Sequence, residues 1–252
     1  MNSALVNLAA FVAIFGSALG GVWLASRLPE PHLSAETRTA VSVSMAVVGT
    51  MAALVLSLMI TNASTSFRTR TDAIESLAVN IIKLDRTLQR YGARAASVRA
   101  TLHDYATAKT RELSDNALAS GLGLGTLHTL ETVNDQILAL APTDDREKQI
   151  ETRALELVNA ISEARWLLVE KTSVAVPPAF LVLLIFWLAL LFASFGLFAP
   201  RNGTIIIILL LCALAISGGI FVILELGSPT RGLIRVSIDP MYTAIRQIEA
   251  GG

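Results

Sequence analysis

Charge is in short supply in this chain. Asp, Glu, Lys and Arg make up 16% of its 252 residues, where a water-soluble domain carries about 25%. The shortage is concentrated: Met1–Ser26, Thr39–Phe67, Thr172–Pro200 and Asn202–Leu224 hold no charged residue at all. Cysteine is nearly missing as well, and Cys212 alone excludes an intrachain disulfide. His32, His103 and His128 are scattered without ligand spacing. Asp144-Asp145 lacks the further carboxylates and glycine of a calcium loop. Neither a metal nor a cofactor is therefore expected. Gly121-Leu-Gly-Leu-Gly125 has no preceding strand and no following Lys-Ser/Thr, which excludes a phosphate-cradling loop. Nothing here supports an enzyme. Nor is there any strand-rich region, internal repeat or low-complexity tract.

What the chain does have is apolar length. A helix rises about 1.5 Å per residue and bilayer hydrocarbon is about 30 Å thick, so roughly 20 apolar residues span it. Each of the four uncharged runs reaches that length, and mean hydropathy is +0.60. The expected fold class is all-α, four transmembrane helices with a long cytoplasmic helical stalk. Its expected parts are 1–67 (spans one and two), 68–171 (the inserted stalk), 172–226 (a hairpin of spans three and four) and 227–252 (a C-terminal tail). The first run lacks a basic leader and its apolar part exceeds a signal core, so it is read as a retained helix.

Lys and Arg set the orientation. Arg68, Arg70, Lys83, Arg86, Arg165, Lys171, Arg231, Arg235 and Arg246 fall on one side of a four-span layout. Only Arg27, Arg38 and Arg201 fall on the other. The positive-inside bias then places the stalk and both termini in the cytoplasm of a bacterial inner membrane.

In span one, Ala9, Ala13, Gly16 and Gly20 share a face at three- or four-residue steps, a spacing that lets another helix approach closely. Span two is expected to run on into water, with Ile74, Leu77, Ile81, Leu84 and Leu88 on one stripe. Gly92 is the first interruption, and a second helix continues to about Leu113. Helix formers return from Thr126 to Leu140 and break at Ala141-Pro142-Thr143. Thr143 or Asp144 then caps a helix carrying Ile150, Ala154, Leu157, Ile161 and Leu168. The residues 68–111 carry net +5 and 112–171 net −6. Two oppositely charged arms are expected to pack antiparallel, held by their apolar stripes because exposed ion pairs contribute at most about 1 kcal/mol each. Basic helices also bind nucleic acid, but no aromatic or groove-reading motif accompanies these arginines, so that partner is not expected.

Span two bears the candidate site. Thr39, Ser42, Ala46, Thr50, Ala53, Ser57, Thr61 and Ser64 form one small, hydroxyl-bearing stripe, opposite Met45, Val48, Leu56, Met59 and Ile60. Hydrocarbon cannot satisfy hydroxyls, so the stripe must meet protein or water. Two readings follow: helix packing, or a water-filled pore lined by Ser42, Thr50, Ala53, Ser57, Thr61 and Ser64 from several copies. Arg68 and Arg70 below the stripe would form a basic ring attracting anions. Glu225 and Arg231 mark the mouth at the end of span four. There the carboxylate either reaches the headgroups or pairs with Arg231 or Arg235, or forms a ring that attracts cations. Cys212 is read as a packing residue. Asn62-Ala-Ser64 and Asn202-Gly-Thr204 match glycosylation sequons that are read as accidental. In the tail, Leu233–Ile238 is expected to lie extended. Asp239-Pro240 should cap a short amphipathic helix carrying Met241, Ile245 and Ile248, resting on the stalk or the membrane surface.

The tail also carries a resemblance. Phe221-Val-Ile-Leu-Glu-Leu-Gly-Ser-Pro-Thr-Arg-Gly-Leu-Ile-Arg-Val-Ser-Ile-Asp-Pro240 resembles the end of the bestrophin-like bacterial membrane proteins, a family of unknown function. That family typically reads Leu-Asp-x-Pro-Phe-x-Gly before an extended Ile/Val-rich stretch. Here Gly227 replaces the acidic residue and Thr230 the aromatic. Gly49–Ser57 and Leu84–Gly92 are similar to the family's second span and stalk. The resemblance implies a likeness to bestrophins, which are oligomeric chloride channels with long cytoplasmic helices. The expected function is a homo-oligomeric ion channel in contact with the lipid bilayer and inorganic ions, lined by span two. The alternative is a membrane-anchored scaffold or sensor acting through its stalk; a substrate transporter is third, since no broken helix or inverted repeat is visible.

Overall fold

The computed structural model describes residues 3–114, 124–170, 178–200, 202–227 and 235–251. Among them every regular element is helical: α1 (Ser3–Ala25), α2 (Ala35–Tyr91), α3 (Ala96–Ser114), α4 (Leu124–Leu138), α5 (Asp145–Glu170), α6 (Pro178–Phe198), α7 (Gly203–Gly227) and α8 (Asp239–Ala250), with short 3-10 turns at Glu30–Leu33 and Ala93–Ala95. The fold is all-α. Four of these helices, α1, α2, α6 and α7, are long and apolar enough to cross a membrane. Helix α2 has 57 residues and so runs about 85 Å, far more than a bilayer requires.

The chain divides into two compact units, Met1–Thr65 with Ala175–Ser228, and Ser66–Val174 with Pro229–Gly252. The first unit is built around α1, which packs on α6 and α7. Its buried arc is Ala10, Ile14, Ala18 and Gly21, facing Leu181, Leu184, Leu188, Phe192 and Gly196 of α6. This corrects the expected face. Ala9, Ala13, Gly16 and Gly20 are exposed, and a methyl group on Gly16 or Gly20 would meet nothing within 4 Å. The reason lies on the partner helix. A Cβ on Gly21 would collide with the Ala193 carbonyl and lie 2.9 Å from the Leu197 amide, and one on Gly196 would collide with the Ala18 carbonyl. Two glycines meet at one crossing and let the backbones touch.

The second unit has a conventional water-side core. Ile74, Leu77, Ile81, Leu84 and Leu88 of α2 are all buried, together with Leu102 and Tyr105 of α3, Val133 and Ile137 of α4, and Ala154, Leu157, Ile161 and Leu168 of α5. The expected break falls at Gly92, whose φ of +96° is a conformation that side chains disfavour. Ala141 also has positive φ, at 47°. The start of α5 is doubly capped: the Glu147 amide donates to Asp144 Oδ1 (2.6 Å). In return the Glu147 carboxylate accepts the Thr143 amide (2.8 Å) and hydroxyl (2.9 Å). The Thr143 amide is the first cause of a Glu147 pKa held below the usual carboxylate range. Helix α4 ends at Leu138 rather than Leu140. The Arg94–Glu147 ion pair joins the basic arm to the acidic one, while Arg99–Asp85 (2.8 Å) lies within the basic arm. The core is shared by helices of both arms, α2 and α3 from the basic one and α4 and α5 from the acidic one.

The tail helix belongs to this second unit. Met241, Ala244 and Ile248 of α8 are buried in its core, and Gln89 Nε2 donates to the Gly251 carbonyl at 2.7 Å. Of the stretch expected to be extended, residues 235–238 form no regular structure and the rest lies outside the described residues. Ile238 occupies the cap position without a side-chain bond, so Asp239 is the first helical residue rather than the cap.

Candidate functional site

The surface of α2 within the first unit divides into three arcs. Ala52, Met59 and Ala63 are buried, and Met45, Val48, Gly49, Val55 and Leu56 are half-buried beside them. A second arc of Val43, Val47, Met51, Leu54 and Leu58 is exposed and mostly apolar, with the exposed Ser44 at its border bonded back to the Ala40 carbonyl at 3.0 Å. Between the two runs the hydroxyl-bearing row. Thr39, Ser42, Ala46, Thr50, Ala53, Ser57 and Thr61 are exposed, and Ser64 is half-buried. The row is therefore not consumed by packing inside its own chain. Ile60, expected on the opposite side, is 49% exposed and borders the row.

All three threonine hydroxyls in this row satisfy their own helix. Thr39 Oγ1 donates to the Ala35 carbonyl (2.8 Å), Thr50 Oγ1 to Ala46 (2.6 Å) and Thr61 Oγ1 to Ser57 (3.0 Å). Such back-bonding makes a hydroxyl tolerable in an apolar setting and leaves its oxygen facing outward. Ser42 and Ser57 have no hydrogen bond among the described residues, so their hydroxyls remain available to whatever lies outside the chain.

The four residues expected at a mouth do not behave alike. Arg68 is exposed, whereas Arg70 is buried. The spacing of Arg70 to Ala73, Ile74 and Leu77 puts it on the core side of α2. Glu225 is 2% exposed, and the Ser3 hydroxyl donates to its Oε1 at 2.5 Å. Arg231 lies outside the described residues. Of the two expected rings, the basic one keeps Arg68 as its exposed member within the chain, and the carboxylate of the other is covered. A second polar contact ties α1 to α7: Ser217, buried, donates to Asn7 Oδ1 at 2.7 Å. Cys212, expected to pack, is exposed on α7. Asn202, read as an accidental sequon, accepts the Ile205 amide at 3.1 Å and so caps α7.

Sequence reasoning missed a buried polar cluster in the second unit. Tyr105, Lys109 and Arg165 are each at most 1% exposed. Lys109 Nζ donates to Glu112 Oε1 at 2.9 Å, and Thr126 Oγ1 donates to Glu112 Oε2 at 2.8 Å. Burial pushes the Lys109 pKa down against the pull of Glu112, and pushes the Tyr105 pKa up. The signal was present. Leu102, Tyr105, Ala106 and Lys109 follow one helical face, which places the lysine among core residues. No group of three or more His, Cys, Asp or Glu suited to a metal occurs among the described residues.

Four long apolar helices, and a helical unit formed largely by the sequence between the second and third of them, define an all-helical membrane protein class. Residues 12–241 match the family model of the Bestrophin-like domain, and the chain belongs to that family. Its fold is shared with a bacterial bestrophin homologue from Klebsiella pneumoniae, at a TM-score of 0.72 and 12% identity over 98% of this chain and 97% of the other. A single-residue variant of a bestrophin homologue from that organism gives 0.74 at 11% identity, over 100% and 98%. At such identity the likeness speaks to fold. No curated protein matches the chain.

Proposed function

We propose that several copies of this protein assemble in a bacterial inner membrane into an ion channel lined by α2, with both termini and the second unit in the cytoplasm. The observation that carries this reading is the exposure of Ser42, Thr50, Ala53, Ser57 and Thr61 along a helix that has a separate, largely apolar exposed arc. A row facing lipid would have no use for hydroxyls, and its own chain does not cover it. A single four-helix chain encloses no pathway, so conduction requires oligomerisation. Membership of the Bestrophin-like family supports the same reading. The exposed charge of Arg68, set against a Glu225 carboxylate that is buried and hydrogen-bonded to Ser3, favours anions over cations.

The test is chemical access. On a Cys212→Ser background, Ser57→Cys is expected to react with a water-soluble, membrane-impermeant thiol reagent, and the modification to reduce ion flux through reconstituted protein. Leu54→Cys, on the lipid-facing arc, is expected to stay unmodified. Arg68→Glu should move the reversal potential toward cation preference. Protection of Ser57→Cys in an assembled, folded protein would leave α2 dry and remove the pore reading.

A further inference from the structure

A cleft of about 560 Å³ opens in the first unit between the N-terminal part of α2, the C-terminal part of α6 and the start of α7. Its volume falls within the roughly 300–1,000 Å³ typical of small-ligand sites. The walls are mostly apolar, with Met45, Leu191, Phe195, Phe198 and Ile205 among them. Gly49 contributes no side chain, and Leu191 lies beneath it, 3.7 Å from where a Cβ would sit. Polar side chains are few: Arg38 and, one turn on, Ser42 where α2 begins, and Ser194 on α6, with Arg38 the one charge. Arg38 is exposed, and among the described residues its guanidinium has neither an ion pair nor a hydrogen bond. Ser42 is likewise unengaged.

Depth in the membrane gives this arrangement its meaning. Arg38 lies just before the uncharged run of α2, and the cleft reaches from it to Pro200, where the α6 run ends. At the end of α1, the Arg27 guanidinium stands over the exposed Trp23 ring at 5.0 Å. Tryptophan and arginine together at a span's end are the usual anchors of a membrane–water interface. An apolar cleft that begins at this level and carries one uncommitted cation at its entrance matches an anionic head joined to a hydrocarbon tail. A zwitterionic lipid offers Arg38 the same phosphate but adds a quaternary ammonium beside it for which the cleft has no carboxylate, and a free anion would leave the apolar walls unfilled.

We propose that this cleft binds an anionic phospholipid, its phosphate on Arg38 and one acyl chain along Leu191, Phe195 and Phe198. The assignment stands whether or not α2 lines a pore. The full-length protein, purified in mild detergent, is incubated with phosphatidylglycerol or with phosphatidylcholine, and retained lipid is counted by native mass spectrometry. Wild type should keep phosphatidylglycerol in clear preference. Arg38→Gln should lower that retention about tenfold, as expected for loss of one charge-assisted contact. Ser194→Phe, which fills the cleft from α6, should abolish it with helical content unchanged. Arg27→Gln, on the same edge but outside the cleft, should retain lipid like wild type. Equal retention of the two lipids, wild-type retention by Arg38→Gln, or equal losses in Arg27→Gln and Arg38→Gln would each overturn the proposal. So would dissociation of an oligomer by Ser194→Phe without any change in bound lipid, since the cleft would then hold a second copy of this chain.

Discussion

The two units solve the problem of holding helices together in opposite ways. In the second, which carries nearly all the charge, cohesion comes from burying Leu and Ile: Leu77, Ile81, Leu84 and Leu88 are all inaccessible. In the first, large apolar residues are left on the outside, and α1 and α6 approach closely where Gly21 faces the Ala193 carbonyl and Gly196 faces the Ala18 carbonyl. The difference follows from solvent. Water rewards removal of apolar surface, whereas lipid is as apolar as leucine and rewards only close fit and satisfied polar groups.

The largest effects should come from breaking the fit. Gly21→Leu forces backbone from backbone and should cost the first unit more than about 4 kcal/mol, read as loss of reversible folding in detergent. Gly16→Leu, on the open face of the same helix, should stay within about 0.5 kcal/mol of wild type. Equal behaviour of the two would mean that the crossing does not hold the unit. Next comes the buried charge of the second unit. Glu112→Ala strands Lys109 without its carboxylate and should destabilise by about 3 kcal/mol in denaturant titration. The double variant Lys109→Met/Glu112→Leu should recover most of that loss, because two apolar side chains need no counter-charge.

A smaller effect is expected inside the membrane unit, where a double-mutant cycle of Asn7→Ala and Ser217→Ala should give a coupling of about 0.6 kcal/mol. The smallest is local and depends on pH. The folded pKa of Glu147 lies below its ordinary value of 4.5, so its cap is fully effective above that value. It is lost as pH falls through the lowered one. Amide exchange in the first turn of α5 should quicken over that acidic window, relative to the core of α5, and Glu147→Gln should remove the pH dependence.

Some of this was written plainly in the residues. Uncharged runs announce the spans, Gly92 announces a break, and the stripe from Ile74 to Leu88 announces a core face, because each depends on local pattern alone. The face that α1 buries was not legible. Two arcs of small residues lie side by side, and Ala10, Ala18 and Gly21 win over Ala9, Gly16 and Gly20 only because Gly196 stands opposite. The fate of Glu225 was hidden for a similar reason, since its partner Ser3 is 222 positions away. For the candidate pathway, the hydroxyl row of α2 was visible as a pattern, but its exposure depends on where α6 and α7 fall. The burial of Arg70 within the chain was legible, for its spacing to Ala73, Ile74 and Leu77 already marks it as inward.

The glycine crossing has a thermal consequence. Contact of Cα–H groups with carbonyls, and dispersion between touching backbones, carry little of the heat-capacity change that makes apolar hydration fade in the cold. Chilling should therefore loosen the leucine-rich core while the junction of α1 and α6 keeps its grip. At low temperature the part of the molecule that yields first is then the one bathed in water.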